Sequence, residues 1–360
     1  MRVAKNPPSP DGPGDRWTPT VALVDVTLAR RSEHRRFGSI SRYSVTTDDG
    51  MEREVIHGRS AVTKPGSPVP LTIGTAPPLS LGPEGLVMHF LMKSMEAGLD
   101  GIVFGPERSR PDITDEDERR QVASTLTFAR SAHVSHLVCD RLAETTSTNL
   151  DHMLWTGVSL GAMKGIAFGA TAPTHGRRMV YSHFVVPVCP YPIEAPSDDE
   201  LRRFNRSEFG AMLRLSSELL AHDVRSRVFR LNQNVVRAMR PGLVVRYARS
   251  VPRDSVSNIF TAGWRDAVVS GDAGVAATKL PSGDLATFEL FDLDEGYTTQ
   301  DWTRRLGDRL GDRIRIVERH GRHTDALRLS QQNDRGRHLG RLMRDIRAGV
   351  PIDELTHPYA

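Results

Sequence analysis

One stretch of five residues has the composition and spacing of a nucleophilic site: Gly157-Val158-Ser159-Leu160-Gly161. A short apolar run precedes it and a run of small residues typical of a helix start follows it. The serine is therefore expected on a sharp turn from strand to helix, which strains its backbone and lifts its hydroxyl out of the sheet. The alternative is a glycine-rich junction with a buried serine. The flanking strand and helix favour the nucleophile.

At this stretch the sequence resembles the α/β-hydrolase family, and the resemblance covers the chain from about residue 20 to its end. It implies an α/β fold with a mostly parallel central sheet, helices on both faces and a helical lid insertion. It also implies a nucleophile, an acid and a histidine in that chain order. Ser159 takes the first of these roles.

The family presents its base after the last strand, where this sequence offers His320 and His323. We favour His323, because Gly321 lets the chain turn sharply and would aim the later histidine back toward Ser159. A solvated loop histidine is the alternative interpretation for both positions. His320 stays open as the competing base.

The acid is expected in the cluster that follows the predicted strand 285–291. Asp294 is favoured there as the group that orients the histidine, with Asp292 and Glu295 as alternatives within the same cluster. Such a cluster would also suit a solvated acidic turn.

An oxyanion hole needs two backbone donors about 3 Å from the developing charge. The N–H of Leu160, the first residue of the predicted helix, is one candidate. The resemblance places the second donor in the loop 74–79, where Pro77 and Pro78 have no N–H. Thr75 and Ala76 remain, and Ala76 is favoured. The loop lacks the His-Gly-Gly-Gly form typical of some lipases and esterases.

Strands and helices alternate from residue 69 to residue 170, which indicates a parallel sheet with crossover helices. Strands are predicted at 20–28, 40–46, 52–57, 69–73, within 98–105 after a turn, before Ser159, and at 179–188, 285–291 and 313–318. The strands 40–46 and 52–57 are expected to form a hairpin around the turn 48–50. Helices are predicted at 83–97, at 112–142 with a break near Ala132, after Ser159, at 264–278 and 299–310, and as two helices that begin at 324 and at about 334, the second ending at 348.

Four segments describe the domain organisation. Residues 1–18 are rich in proline and predict a flexible tail, and 19–194 form the first part of the hydrolase core. Residues 195–250 lie where the family often inserts a helical lid, and 251–360 complete the core. The alternative for 195–250 is a helical subdomain that does not contact substrate.

Composition narrows the function classes. Lysine and arginine exceed aspartate and glutamate by 48 − 44 = 4 charges, and no basic stripe carries interleaved aromatics, which argues against nucleic-acid binding. The two cysteines, Cys139 and Cys189, give neither a metal spacing nor a disulfide framework. No apolar run reaches the roughly 18 residues of a membrane span, and no signal-peptide pattern is present, so a cytoplasmic protein is expected.

Together these features predict a serine hydrolase that cleaves a carboxylic ester or related small acyl substrate through an acyl-enzyme, with no cofactor or metal. Ser159 would attack, His323 would act as base and then acid, and Asp294 would orient it. An acyltransferase with the same triad and a non-catalytic binding scaffold are the alternatives, and a peptidase is less favoured. The sequence leaves homo-oligomerisation, the acyl chain and the leaving group open.

Overall fold

The computed structural model describes residues 21–34, 38–48, 50–62, 71–74, 91, 94–96, 98–109, 128–187, 285–292 and 314–359. Nine strands of these segments form one sheet in the order β1-β2-β3-β5-β4-β6-β7-β8-β9. The strands are β1 (Leu23–His34), β2 (Gly38–Thr47), β3 (Met51–Ser60), β4 (Leu71–Gly74), β5 (Gly101–Ser109), β6 (His152–Val158), β7 (Arg178–Val185), β8 (Leu285–Phe291) and β9 (Ile314–Arg319).

The amino-terminal part of the sheet is antiparallel. Strands β1, β2 and β3 pair in sequence, and β3 pairs antiparallel with β5. The predicted hairpin turn is confirmed between β2 and β3, where the N–H of Gly50 donates to the carbonyl of Thr47 at 3.0 Å. Gly50 has a φ of 80°, a conformation that glycine adopts at little cost.

The rest of the sheet, from β5 through β4, β6, β7 and β8 to β9, is parallel. The described sheet is therefore mixed, with three antiparallel and five parallel pairings. Parallel strands all end at the same edge of a sheet, so the residues that follow β6, β8 and β9 share one edge. In open α/β sheets this edge is where ligands bind.

Helices cover both faces of the sheet. The helices are α1 (Phe128–Thr146), α2 (Leu160–Thr171) and α3 (Leu329–Arg347), with short 3-10 helices at Ala172–His175, His323–Leu327 and Ile352–Glu354. Side chains of α1 and α2 share a hydrophobic cluster with Met153 and Trp155 of β6. Leu154, between them, belongs to the cluster on the opposite face, together with α3. This alternation is the two-residue period of a strand buried on both faces.

One predicted helix differs from the structure. Helix α1 continues without a break past Ala132, which is buried in the core. Close to this position, Ser135 is buried against β3, where Arg53 donates a hydrogen bond to it at 3.1 Å. The break predicted near Ala132 is therefore wrong.

Several other predictions fall outside the described residues. They are the tail 1–18, the lid 195–250, the helices 264–278 and 299–310, and most of the helix 83–97. Within the described part of the chain, no helix has the length and apolarity needed to cross a membrane. Cys139 is buried in α1, and Cys189 lies outside the described residues.

Candidate active site

Ser159 occupies a strained turn between β6 and α2. Its φ of 57° and ψ of −121° lie outside the regions that L-residues normally adopt. Strain of this kind costs of order 1–3 kcal/mol and persists only where the surrounding structure imposes it. The sequence prediction of a strand, a strained serine and a helix is therefore confirmed in its backbone geometry. The serine is mostly buried, with 9% of its surface exposed.

Close backbone packing explains the first glycine of the turn. A Cβ on Gly157 would lie 2.3 Å from the carbonyl oxygen of Gly161 and 2.7 Å from the nitrogen of Ala162. The start of α2 thus rests directly on the end of β6. The indole N–H of Trp155 also donates to the Gly161 carbonyl at 3.1 Å, which ties the two elements together inside the core.

Leu160 is the first residue of α2, so its N–H belongs to the first turn, whose N–H groups have no partner within the helix. That position fits the predicted oxyanion donor. Ala76, the second predicted donor, lies outside the described residues.

An acid–base pair lies at the ends of β8 and β9. Nδ1 of His320 is 2.8 Å from Oδ2 of Asp292, and the N–H of Gly321 donates to the other carboxylate oxygen at 3.0 Å. Asp292 directly follows β8, and His320 directly follows β9. Phe291 and Arg319, the residues before them, are paired in register, which brings the acid and the histidine together.

The structure thus joins two of the alternatives named from the sequence. His323, the favoured base, begins the 3-10 helix three residues beyond His320. Asp294, the favoured acid, lies outside the described residues. A signal for the pair was present in the sequence, because Asp292 is the first residue after its predicted strand and His320 is the second residue after its own. The turn that Gly321 allows favours His323 instead.

Gly321 turns the chain directly after His320. Its φ is 144°, and a Cβ there would lie 3.1 Å from atoms of Asp325 and Phe291. The turn leads into the 3-10 helix, where Asp325 accepts a hydrogen bond from the N–H of Arg322 at 2.8 Å. Glycine suits this position because its φ is one that L side chains rarely adopt and because a Cβ would crowd Asp325 and Phe291.

The charge of Asp292 acts on the exposed His320. Its hydrogen bond and its negative charge together raise the pKa of His320 above the ordinary value of 6.5. With Nδ1–H donated to the carboxylate, the neutral ring keeps its lone pair on Nε2. This tautomer is the one that a general base needs.

Backbone hydrogen bonds link the serine turn to this pair. The N–H of Ser159 donates to Val185, that of Val186 to Glu289, and that of Asp292 to Arg319, at 2.8–3.0 Å. Val158 packs against a small apolar cluster formed by Val185, Val186, Phe291 and Ala326. The end of β6 is thereby joined to the elements that carry Asp292 and His320.

A buried carboxylate in β8 was missed by the sequence analysis. Glu289 is fully buried; Nε and Nη2 of Arg335 each donate to it at 2.8 Å, and the ring of His183 lies 3.0 Å from it. Burial alone would raise the pKa of Glu289, but Arg335 and His183 outweigh burial and hold that pKa well below its usual range. The available signal was that glutamate is the single charged residue of the strand Leu285–Phe291.

His183 remains neutral beside this carboxylate. Burial lowers its pKa, although the hydrogen bond to Glu289 acts in the opposite direction. Its Nε2 therefore carries the proton that Glu289 accepts. Among the described residues, no group of histidine, cysteine and acidic side chains has an arrangement that could hold a metal ion.

Comparisons with known proteins identify the fold and no close relative. No protein-family model and no curated protein matches the sequence. The structure of DcsB in complex with a substrate analogue aligns with 86% of this chain and all of its own, at 13% identity and a TM-score of 0.52. An esterase of Pyrococcus furiosus aligns with 85% of this chain and 90% of its own, at 9% identity and a TM-score of 0.47.

The thioesterase domain of the curacin biosynthetic pathway aligns with 85% of this chain and 99% of its own, at 12% identity and a TM-score of 0.46. At such identities, a likeness concerns the fold alone. The alignment with DcsB, the strand order and the serine turn agree with one another. The chain has an α/β-hydrolase fold, as the resemblance in the sequence implied.

Proposed function

We propose that the protein is a serine hydrolase acting on a carboxylic ester or related acyl substrate, with Ser159, His320 and Asp292 as its triad. The strained conformation of Ser159 is the observation that carries the proposal, because such strain is retained where a function needs it. The Asp292–His320 pair supports it, since the fold carries an acid and a histidine at neighbouring strand ends.

The chemistry follows from the roles of these groups. Nε2 of neutral His320 takes the hydroxyl proton as Ser159 Oγ attacks the acyl carbon, and the protonated ring then gives that proton to the leaving alcohol. Asp292 holds the ring in the required tautomer and stabilises its charged form. Water, activated by His320, then cleaves the acyl-enzyme and releases Ser159. The N–H groups of Leu160 and Ala76 are the proposed oxyanion donors.

Residues 195–250 are the proposed cover of the site and 19–194 with 251–360 the proposed core. An acyltransferase would use the same triad with an alcohol or amine in place of water, and no observation on the described residues favours it over hydrolysis.

A labelling experiment tests the nucleophile. The wild-type protein should react with a fluorophosphonate probe, and peptide mapping should place the adduct on Ser159. Ser159→Ala should stay folded, resist labelling and lose hydrolysis of short p-nitrophenyl esters by about 10⁴-fold or more.

Ser147→Ala is the matched control, because Ser147 is another serine with a positive φ, at 54°, at the end of α1 away from the site. It should label and turn over like the wild type. An adduct on another residue, or full turnover by Ser159→Ala, would rule out this nucleophile. Absence of any labelling would favour a binding scaffold.

A further inference from the structure

A network of charged side chains, buried at Glu289 and Arg335 and partly exposed at its other two members, lies next to the acid–base pair, and we call it the Glu289 network. It consists of Glu289, Arg319, Asp334 and Arg335. Arg319 Nε lies 2.7 Å from Glu289 Oε1, and its guanidinium also contacts Asp334. Arg335 is almost fully buried and holds Glu289 through two parallel hydrogen bonds. Two-pronged contacts of this kind fix direction as well as distance.

The network joins every described element that carries the acid and the base. Glu289 lies in β8, three residues before Asp292, and Arg319 is the last residue of β9, directly before His320. Arg335 and Asp334 both come from α3. Arg335 also donates to the carbonyl of Ala326 at 2.6 Å, in the 3-10 helix that follows the His320 loop.

The stability of the fold alone gives a weak reason for these charges. Removing a carboxylate and two guanidinium groups from water costs several kcal/mol per ion, and well-packed apolar residues often serve a core equally well. A charged network does, however, specify one arrangement of the strands that it joins. Such specificity matters most near a reaction, where a displacement of about 1 Å can cost about 100-fold in rate.

We propose that the Glu289 network positions Asp292 and His320 for catalysis, with Arg335 as the residue that locks β8, β9 and the 3-10 helix together. These are positioning residues, because they act through the pair and do not touch the substrate. The catalytic consequence rests on the proposed function, whereas the effect on the geometry of the pair does not.

The test compares Arg335→Lys with Arg177→Lys. Lysine keeps the charge and loses the two-pronged contact. Arg177 is the matched control, because it is also a buried arginine paired with an aspartate, Asp140, but lies just before β7 at the opposite edge of the sheet. Both variants should lower the melting temperature. Only Arg335→Lys should disturb His320.

Two readouts separate positioning from stability. The first is the pKa of His320, followed by NMR through its ring protons; Asp292 and, more weakly, Asp325 are the groups that raise it. In Arg335→Lys this pKa should fall toward that of Asp292→Asn, and in Arg177→Lys it should equal that of the wild type. The second is ester hydrolysis, in which Arg335→Lys should lose about 10- to 100-fold in kcat with little change in KM.

The outcomes are distinguishable from those of the proposed function. If the wild type neither labels nor turns over, the hydrolase proposal fails, but the NMR titration still decides on positioning. If folded Arg335→Lys keeps the wild-type pKa of His320, the positioning role is overturned. Should Arg335→Lys not fold, Arg319→Lys replaces it, because Arg319 is partly exposed and the same criteria apply.

Discussion

Histidines lie at both ends of the parallel strands, and the two ends affect them in opposite ways. His320, at the carboxyl ends, is exposed and bound to Asp292, so its pKa is raised. His136, near the amino end of β7, is buried; burial first, then His175 and Arg177, lower its pKa from 6.5 to about 2. The same type of side chain is thus protonated more easily at one edge and kept neutral at the other.

The surroundings of His136 explain its neutral state. Its ring stacks on Phe168 and His175, and its Nε2 lies within hydrogen-bond distance of the Phe168 carbonyl and of Thr171. Nη1 of Arg177 lies 3.4 Å from Nδ1 of His136, and a hydrogen bond between them requires that Nδ1 be unprotonated. A packed neutral ring of this kind strengthens the core, and burial disfavours its charged form.

The largest expected effect is on catalysis, at the edge of the sheet that carries His320. His320→Ala should lower kcat/KM for p-nitrophenyl esters by about 10⁴-fold or more, because no other group would take the proton from Ser159. His323→Ala is the control and should keep most of the activity, since the structure pairs the other histidine with an acid. Steady-state kinetics on both variants decide the matter. A dead His323→Ala with an active His320→Ala would restore the base favoured from the sequence.

Removal of the acid should have the next largest effect. Asp292→Asn keeps the size of the side chain but loses the charge, and the loss in kcat should be about 10³- to 10⁴-fold. The pH profile gives an independent check. Because Asp292 raises the pKa of His320, the acid limb of wild-type kcat/KM should lie above 6.5, and in Asp292→Asn it should move to lower pH. An unchanged limb would exclude Asp292 as the partner.

Local residue order predicts some features of this site, whereas others depend on packing between distant segments. The turn at Ser159, the strand 285–291 and the hairpin at Gly50 depend on local residue order, and they were predicted. The partner of Asp292 depends on the register between β8 and β9, which pairs Phe291 with Arg319. Register depends on packing across the sheet, so it cannot be predicted from the sequence of either strand alone.

The unbroken α1 has a similar explanation. Ser131, His133 and Ser135 are typical of an exposed or interrupted helix, yet the hydroxyl of Ser135 donates to the carbonyl of Ser131 at 2.7 Å and accepts from Arg53 at 3.1 Å. A residue 82 positions earlier in the chain therefore satisfies the helix. The carboxylate of Glu289 was missed for the same reason, because its partners come from β7, β9 and α3.

Packing at the serine turn should give the next effect in size. Gly157→Ala should destabilise the fold by about 3 kcal/mol or more, because its Cβ would meet the backbone of α2 at 2.3 Å. Gly336→Ala is the matched control: nothing lies within 4 Å of a Cβ there, and it should stabilise α3 by about 1 kcal/mol. Urea unfolding measures both. A Gly157→Ala protein as stable as the wild type would show that β6 and α2 are not in direct contact.

The smallest expected effect concerns the opposite ways in which His136 and His320 change the stability of the fold with pH. The pKa of His136 is lowered in the folded state, so its contribution is complete above the unfolded value of 6.5 and is lost as the pH falls below it. At pH 5, about 1.5 pH units below that value, the free energy of unfolding falls by about 2 kcal/mol, since each unit corresponds to about 1.36 kcal/mol. His136→Gln keeps a neutral polar side chain, so the free energy of unfolding should change between pH 7.5 and 5 by about 2 kcal/mol less than in the wild type. His57, whose pKa is lowered by burial and by Arg59 to about 4, also makes the fold less stable in acid, and this effect remains in the variant.

His320 has a raised pKa, so its effect on stability has the opposite sign. Its contribution is present below 6.5 and is lost as the pH rises through its folded pKa. His320→Ala should consequently leave the acid sensitivity undiminished, and a reduction like that of His136→Gln would contradict the contrast between the two ends of the sheet.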